Sequence, residues 1–154
     1  MPVAVSNLQR RSRVSPGRLR AVTRRALAAL GRADREVHVT VVDDRRIRAL
    51  NARYLGTRRA TDVLAFDLAG PGPGRLWGEV IVSAETAARQ ARRLRVPLAA
   101  ELDLLVVHGL LHLAGYDDHD PRRARRMHER AREILAGRSA RTLPARLWAG
   151  LLEA

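Results

Sequence analysis

The 154-residue sequence has no cysteine. Disulfides and thiolate ligands are therefore excluded, and any metal must be held by His, Asp, Glu or water. Lysine is also missing, so every one of the 29 basic residues is arginine. Aromatic residues make up only 3% of the chain, too few for the stacking platform that many single-strand binders use. No apolar stretch approaches the roughly 20 residues of a membrane span, and the opening MPVAVSNLQR lacks the apolar core of a signal peptide. These absences predict a cytoplasmic protein with no membrane contact.

What is present is positive charge. The formal net charge is +13, carried by a side chain whose planar fork matches phosphate bidentately. This points to a polyanionic partner such as nucleic acid or the ribosome. The competing reading is compositional, with arginine used wherever another genome would use lysine. The length suits one domain burying about two-thirds of its unfolded surface.

Val3 and Val5 alternate with small or polar residues and predict a short strand over 2–8. Ser15-Pro16 reads as an N-cap and first helical position for a helix closed by Gly31. Its outer face carries Arg18, Arg20, Arg24 and Arg25, which reads first as a solvated face. Val37, Val39 and Val41 predict a strand over 36–42 with His38 on its polar side. Asp43 and Asp44 open a helix with Ile47, Leu50 and Tyr54. After the basic loop 56–61, Val63 to Phe66 and Leu76 to Val82 form antiparallel strands separated by Gly70-Pro71-Gly72-Pro73-Gly74. Ser83 caps a helix over 84–94, and Leu98 to Leu113 is almost continuously apolar, as a central buried helix requires. A charged helix over 121–135 has Met127, Ala131, Ile134 and Leu135 inside. The expected fold is α/β (α+β), one domain over 1–137 with a mixed, about four-stranded sheet packed with five or so helices. Residues 138–154 are a tail, with a short amphipathic helix carrying Leu143, Leu147, Trp148, Leu151 and Leu152 as one option.

The buried helix runs into HGLLHLAGYDDHD, residues 108–120. His108 and His112 are four apart and share a helix face, so both imidazoles can bind one ion. The spacing is that of the zinc-protease motif H-E-x-x-H, but Gly109 stands where that motif has its general base. A peptidase reading loses its base at once. The extended motif puts a third ligand at Asp118, and His119 follows it. Register favours Asp118, whereas the preference of zinc for nitrogen favours His119, and the balance tips slightly to His119. Asp117 or Glu79 are candidate carboxylates for orienting the histidines. The bland alternative is a pair of core histidines without a metal.

HGLLHLAGYDDHD resembles the H-G-x-L-H-L-x-G-Y-D-H signature of the YbeY family of bacterial ribosomal RNA maturation factors. Leu50-Asn51-Ala52-Arg53-Tyr54 with Thr61-Asp62-Val63-Leu64-Ala65-Phe66 is similar to the family's L-N-x-x-Y-R…T-D-V-L-S-F block. Trp77 to Val82 is similar to its G-D-I-x-I strand, and Met127 falls on a family methionine. The resemblance covers about residues 36–136. It implies a metal-dependent, single-strand-specific endoribonuclease, zinc-bound, acting in small-subunit rRNA maturation and ribosome quality control. His108 and His112 would take the first two ligand positions. The family's third histidine falls on Asp118 here, and the arginine that follows its tyrosine is replaced by Leu55.

The expected site therefore has His108, His112 and His119 (or Asp118) as metal ligands. Arg53, Arg58, Arg59, Thr61 and Asp62 are the expected substrate contacts, with Arg59 also stabilising transition-state charge. His128 is a loose candidate for the general base, a surface role on its charged helix being the first reading. The alternative from another class is a non-catalytic ribosome-assembly factor with a structural metal and RNA-holding arginines.

Overall fold

The computed structural model describes residues 3–55, 62–69 and 75–139. In chain order the elements are β1 (Val3–Asn7), α1 (Pro16–Ala29), β2 (Glu36–Val42), α2 (Asp44–Leu55), β3 (Val63–Asp67), β4 (Leu76–Ser83), α3 (Ala84–Leu94), α4 (Leu98–Leu113) and α5 (Pro121–Ser139). The basic loop with Arg58, Arg59 and Thr61, the Gly-Pro connection 70–74 and the tail from 140 onward lie outside the described residues.

The four strands form one sheet in the order β1-β2-β4-β3. β1, β2 and β4 are parallel, and β3 pairs antiparallel with β4. The expected mixed sheet is therefore observed. Its pattern follows burial: Val37, Val39 and Val41 of β2, and Val80 and Val82 of β4, have essentially no exposure and belong to one large core. Leu19, Val22, Ala26 and Leu27 of α1, Met127, Ala131 and Ile134 of α5, and nearly all of α4 complete that core. On the opposite face α2 lays Ile47 over Val42, Leu64 and Ile81, with Leu50 and Phe66 beside them.

Local chemistry places the helix starts. The Ser15 hydroxyl accepts from the Arg18 amide at 3.2 Å, and Ser83 does the same for Thr86 at 3.2 Å. Asp43 caps α2 through the Arg46 amide (2.9 Å), and Asp120 caps α5 through the Arg123 amide (2.9 Å). Asp44 has a different task. Its carboxylate accepts from Ser83 Oγ (2.6 Å), Thr86 Oγ1 (2.6 Å) and Arg89 (2.7 Å), tying α2 to the β4–α3 corner. The α1 arginines are not purely a solvated face, since Arg18 bonds Asp103 of α4 at 2.9 Å.

Two glycines let α4 lie close to the sheet. A Cβ on Gly109 would meet Val80 Cγ1 at 2.7 Å and Val63 Cγ2 at 3.1 Å. A Cβ on Gly78 would meet the Phe66 carbonyl oxygen at 2.5 Å and Leu113 Cδ1 at 2.9 Å. The residue that removes the protease base is thus also the one that lets the histidine helix touch β3 and β4. No described helix is long and apolar enough to cross a membrane.

Candidate metal centre

α4 ends in a Schellman turn that aims the rest of the motif back at the helix. The Tyr116 amide reaches the Leu111 carbonyl at 3.0 Å and the Gly115 amide the His112 carbonyl at 3.1 Å. Gly115 sits at φ 98°, a backbone region that side chains disfavour. The turn then delivers the Tyr116 carbonyl oxygen to His112 Nδ1 at 3.1 Å. A carbonyl only accepts, so Nδ1 carries a proton, and in the neutral ring Nε2 is the atom with a free lone pair. That lone pair points at His108 Nε2, 3.1 Å away.

The third member is Asp118. Its Oδ2 lies 3.9 Å from His108 Nε2. One ligand atom from each of His108, His112 and Asp118 falls within 4.8 Å of the others, and they are the one such group among the described residues. Two imidazole nitrogens and a carboxylate on a shared space are a donor set that fits a divalent ion. His108 is ready for that role: burial first, then the neighbouring His112 and His128, lower its pKa to about 4 against the pull of Asp118. The ring is neutral near pH 7. Its buried Nδ1 has no hydrogen-bond partner among the described residues.

His119 is placed elsewhere. The Asp117 carboxylate accepts from the His119 amide at 3.2 Å, an Asx turn that sends the His119 ring outward. That side chain is 83% exposed and its Nδ1 lies 3.5 Å from Asp117. The nitrogen preference favours His119, whereas the turn brings the Asp118 carboxylate, and not the His119 ring, toward the two imidazoles. The expected orienting carboxylates also have other partners. Asp117 pairs with Arg123 at 3.3 Å, and Glu79 accepts from Thr40 Oγ1 at 2.9 Å. The Tyr116 backbone carbonyl does the orienting instead.

Of the expected substrate contacts, Arg53 and Asp62 are described. Arg53 is exposed at the end of α2, its guanidinium 5.4 Å from the Tyr54 ring centre. Asp62 is partly buried, and its carboxylate accepts from Gln90 Nε2 at 3.5 Å. Burial pushes the Asp62 carboxyl up; hydrogen bonds from Gln90 and the backbone oppose this, and the charge of Asp118 reinforces it. Arg58, Arg59 and Thr61 fall outside the described residues. His128 departs from the surface role read first for it. It is 9% exposed and lines a cavity of about 590 Å³ with Asp118 and Arg125. Burial, then Arg132, lowers its pKa. Its position was legible, because His128 continues the inner stripe of α5 at helical spacing from Ala131 and Leu135.

A small α/β domain in which two imidazoles and a carboxylate converge at the end of a buried helix, with Gly109 at the position of the zinc-protease base, has the ligand set of a divalent-metal domain that is not a protease of that motif. The family model described as Endoribonuclease YbeY matches residues 4–138. Endoribonuclease YbeY of an Anaeromyxobacter species (strain Fw109-5) is 50% identical over 135 residues, covering 87% of this chain and 70% of that one. The Geobacter metallireducens protein of the same name is 42% identical over 142 residues, 88% of this chain and 95% of that one. The solution structure of a Thermotoga maritima protein shares the fold, with TM-score 0.61 and 24% identity over 98% of this chain and 92% of that one. The chain belongs to the YbeY family, and with it to the hydrolases that cut RNA.

Proposed function

We propose that this chain is a single-strand-specific endoribonuclease that holds one zinc ion on His108, His112 and Asp118, and that it matures small-subunit ribosomal RNA on or near the ribosome in the cytoplasm. The observation that carries the reading is the convergence of those three ligand groups within 4.8 Å in a member of this family. When bound, such an ion supplies a Lewis acid for a phosphate oxygen and a coordinated water of lowered pKa. The chain's own residues do the rest. Tyr116 fixes the tautomer and tilt of His112. Asp118 adds negative charge beside the two imidazoles and so offsets part of a dication's charge. Arg53, Arg58 and Arg59 neutralise backbone phosphates, and Arg59 takes over from the family arginine replaced by Leu55 as the group that offsets transition-state charge. Thr61 and Asp62 contact the substrate, and Asp62, directly before β3, is near enough to Asp118 for that charge to act on its carboxyl.

The test pairs purified protein with single-stranded ribosomal RNA, with and without chelator, and measures metal content. Cleavage that stops with chelator and in His108→Ala, with about one zinc per chain, is the expected result. Cleavage surviving either change refutes the metal-nuclease reading. RNA binding by the zinc-loaded chain without cleavage supports instead an assembly factor with a structural ion.

A further inference from the structure

The turn that carries Asp118 has a second face. Ala114, Gly115, Tyr116 and Asp117 from this turn, with Arg123 and Arg126 from the first turns of α5, line an open cavity of about 420 Å³. The two arginines are not equivalent. Arg123 is committed to Asp117 at 3.3 Å and to Asp120 at 3.4 Å. Arg126 is exposed and makes no ion pair or hydrogen bond among the described residues. Two guanidiniums against the single carboxylate of Asp117 leave the lining with net charge +1. A separate cavity, which Asp118 lines, differs, since there Asp118 and Asp120 stand against the single guanidinium of Arg125. Tyr116 joins the basic cavity to the metal centre, because it lines the former and its carbonyl holds His112 in the latter.

We propose that this cavity is a phosphate subsite for the RNA strand, in which the Arg126 guanidinium binds a backbone phosphate close to the scissile one and directs the strand along the first turns of α5. It rests on the endoribonuclease reading above. The uncommitted fork of Arg126 offers paired donors at phosphate spacing. Asp117, already neutralised by Arg123, does not repel the anion strongly.

The experiment titrates a fluorescently labelled, unstructured RNA strand with the full, zinc-loaded chain at several KCl concentrations. Wild type is compared with Arg126→Gln and with Arg92→Gln, an exposed arginine on α3 outside the cavity. For a single strand, each phosphate that the protein no longer neutralises lowers the slope of log affinity against log salt by about 0.7. Arg126→Gln is expected to lose about that much, with unchanged zinc content, and Arg92→Gln to keep the wild-type slope. An unchanged slope in Arg126→Gln while wild type binds RNA overturns the subsite alone. An equal loss in Arg92→Gln also overturns it, as a general charge effect. Failure of wild type to bind RNA overturns the subsite together with the reading beneath it. A single neutral methylphosphonate linkage, moved along the strand, separates the outcomes further. At the linkage that Arg126 touches, wild type weakens and Arg126→Gln does not, and a difference between the two that persists at every position refutes the proposed contact.

Discussion

Gly109→Ala isolates the packing that sets the histidine helix on the sheet. The new Cβ would lie 2.7 Å from Val80 Cγ1, 3.2 Å from Val80 Cγ2 and 3.1 Å from Val63 Cγ2. Val80 is fully buried in β4 and cannot swing away. Overpacking of this kind costs about 1–3 kcal/mol. Alanine returns about 1 kcal/mol of helix propensity over glycine. The net effect is destabilisation of about 1 kcal/mol, or roughly 2–4 °C in melting temperature for a chain of this size. Thermal unfolding by circular dichroism on metal-stripped protein reads it directly. The cause is tested by repeating the change in a Val80→Ala background. There the close contacts on Val80 are gone, and Gly109→Ala should become neutral or stabilising. A Gly109→Ala protein as stable as wild type, or the same loss in both backgrounds, would refute close helix–sheet approach as the reason for this glycine. Gly109→Glu restores the zinc-protease spacing on paper. Its longer side chain meets the same wall, so a larger loss of stability and no peptidase activity are expected.

Removing Asp118 and His119 one at a time separates the two candidates for the third ligand. Asp118→Ala should weaken metal binding at least about tenfold, the lower end for groups that only support a ligand, whereas His119→Ala should leave metal content unchanged; the reverse order would restore His119. Burial, reinforced by Asp62 and opposed by Arg93, pushes the Glu101 carboxyl up to about 7 from 4.5. The unfolded chain releases this proton first, so the contribution of Glu101 to stability falls between pH 4.5 and 7 and levels above. Glu101→Gln should gain on wild type across that window, and parallel stability curves would count against it. Burial raises the Asp44 carboxyl, but the bonds from Ser83, Thr86 and Arg89 outweigh it and hold the group at about 2. Its stabilisation is present above the ordinary value of 3.8 and is lost as pH falls through 2, so Asp44→Asn should lower the melting temperature at pH 7 and cost little at pH 2.

Much of the fold was legible because it is written in local patterns. The alternation of Val37, Val39 and Val41 gave a strand, the run from Leu98 to Leu113 gave a buried helix, and Ser15 and Ser83 marked helix starts that the hydroxyl–amide bonds reproduce. The His108–His112 pair followed from the helical period alone. The order β1-β2-β4-β3 did not, because strand neighbours are chosen by contacts distant in sequence. Nor was the cradle of His112 visible, since its partner is a backbone carbonyl, which every residue possesses and no motif records.

The sequence by itself determined the ligand types, the absence of thiolate and protease base, the basic character and the family signature, because each depends on which residues are present and how they are spaced. Only the tertiary structure decided what adjacent residues do. Asp118 and His119 differ by one position, and the Asx turn at Asp117 points one carboxylate at the imidazoles and the other ring at solvent. Gly109 reads as a missing base in the motif and as a packing contact against Val80 in the fold. His128 reads as one more polar residue on a charged helix, and burial brings it to the cavity beside Asp118. Spacing fixes which face of an element a side chain occupies. What that face meets is set by the elements packed against it.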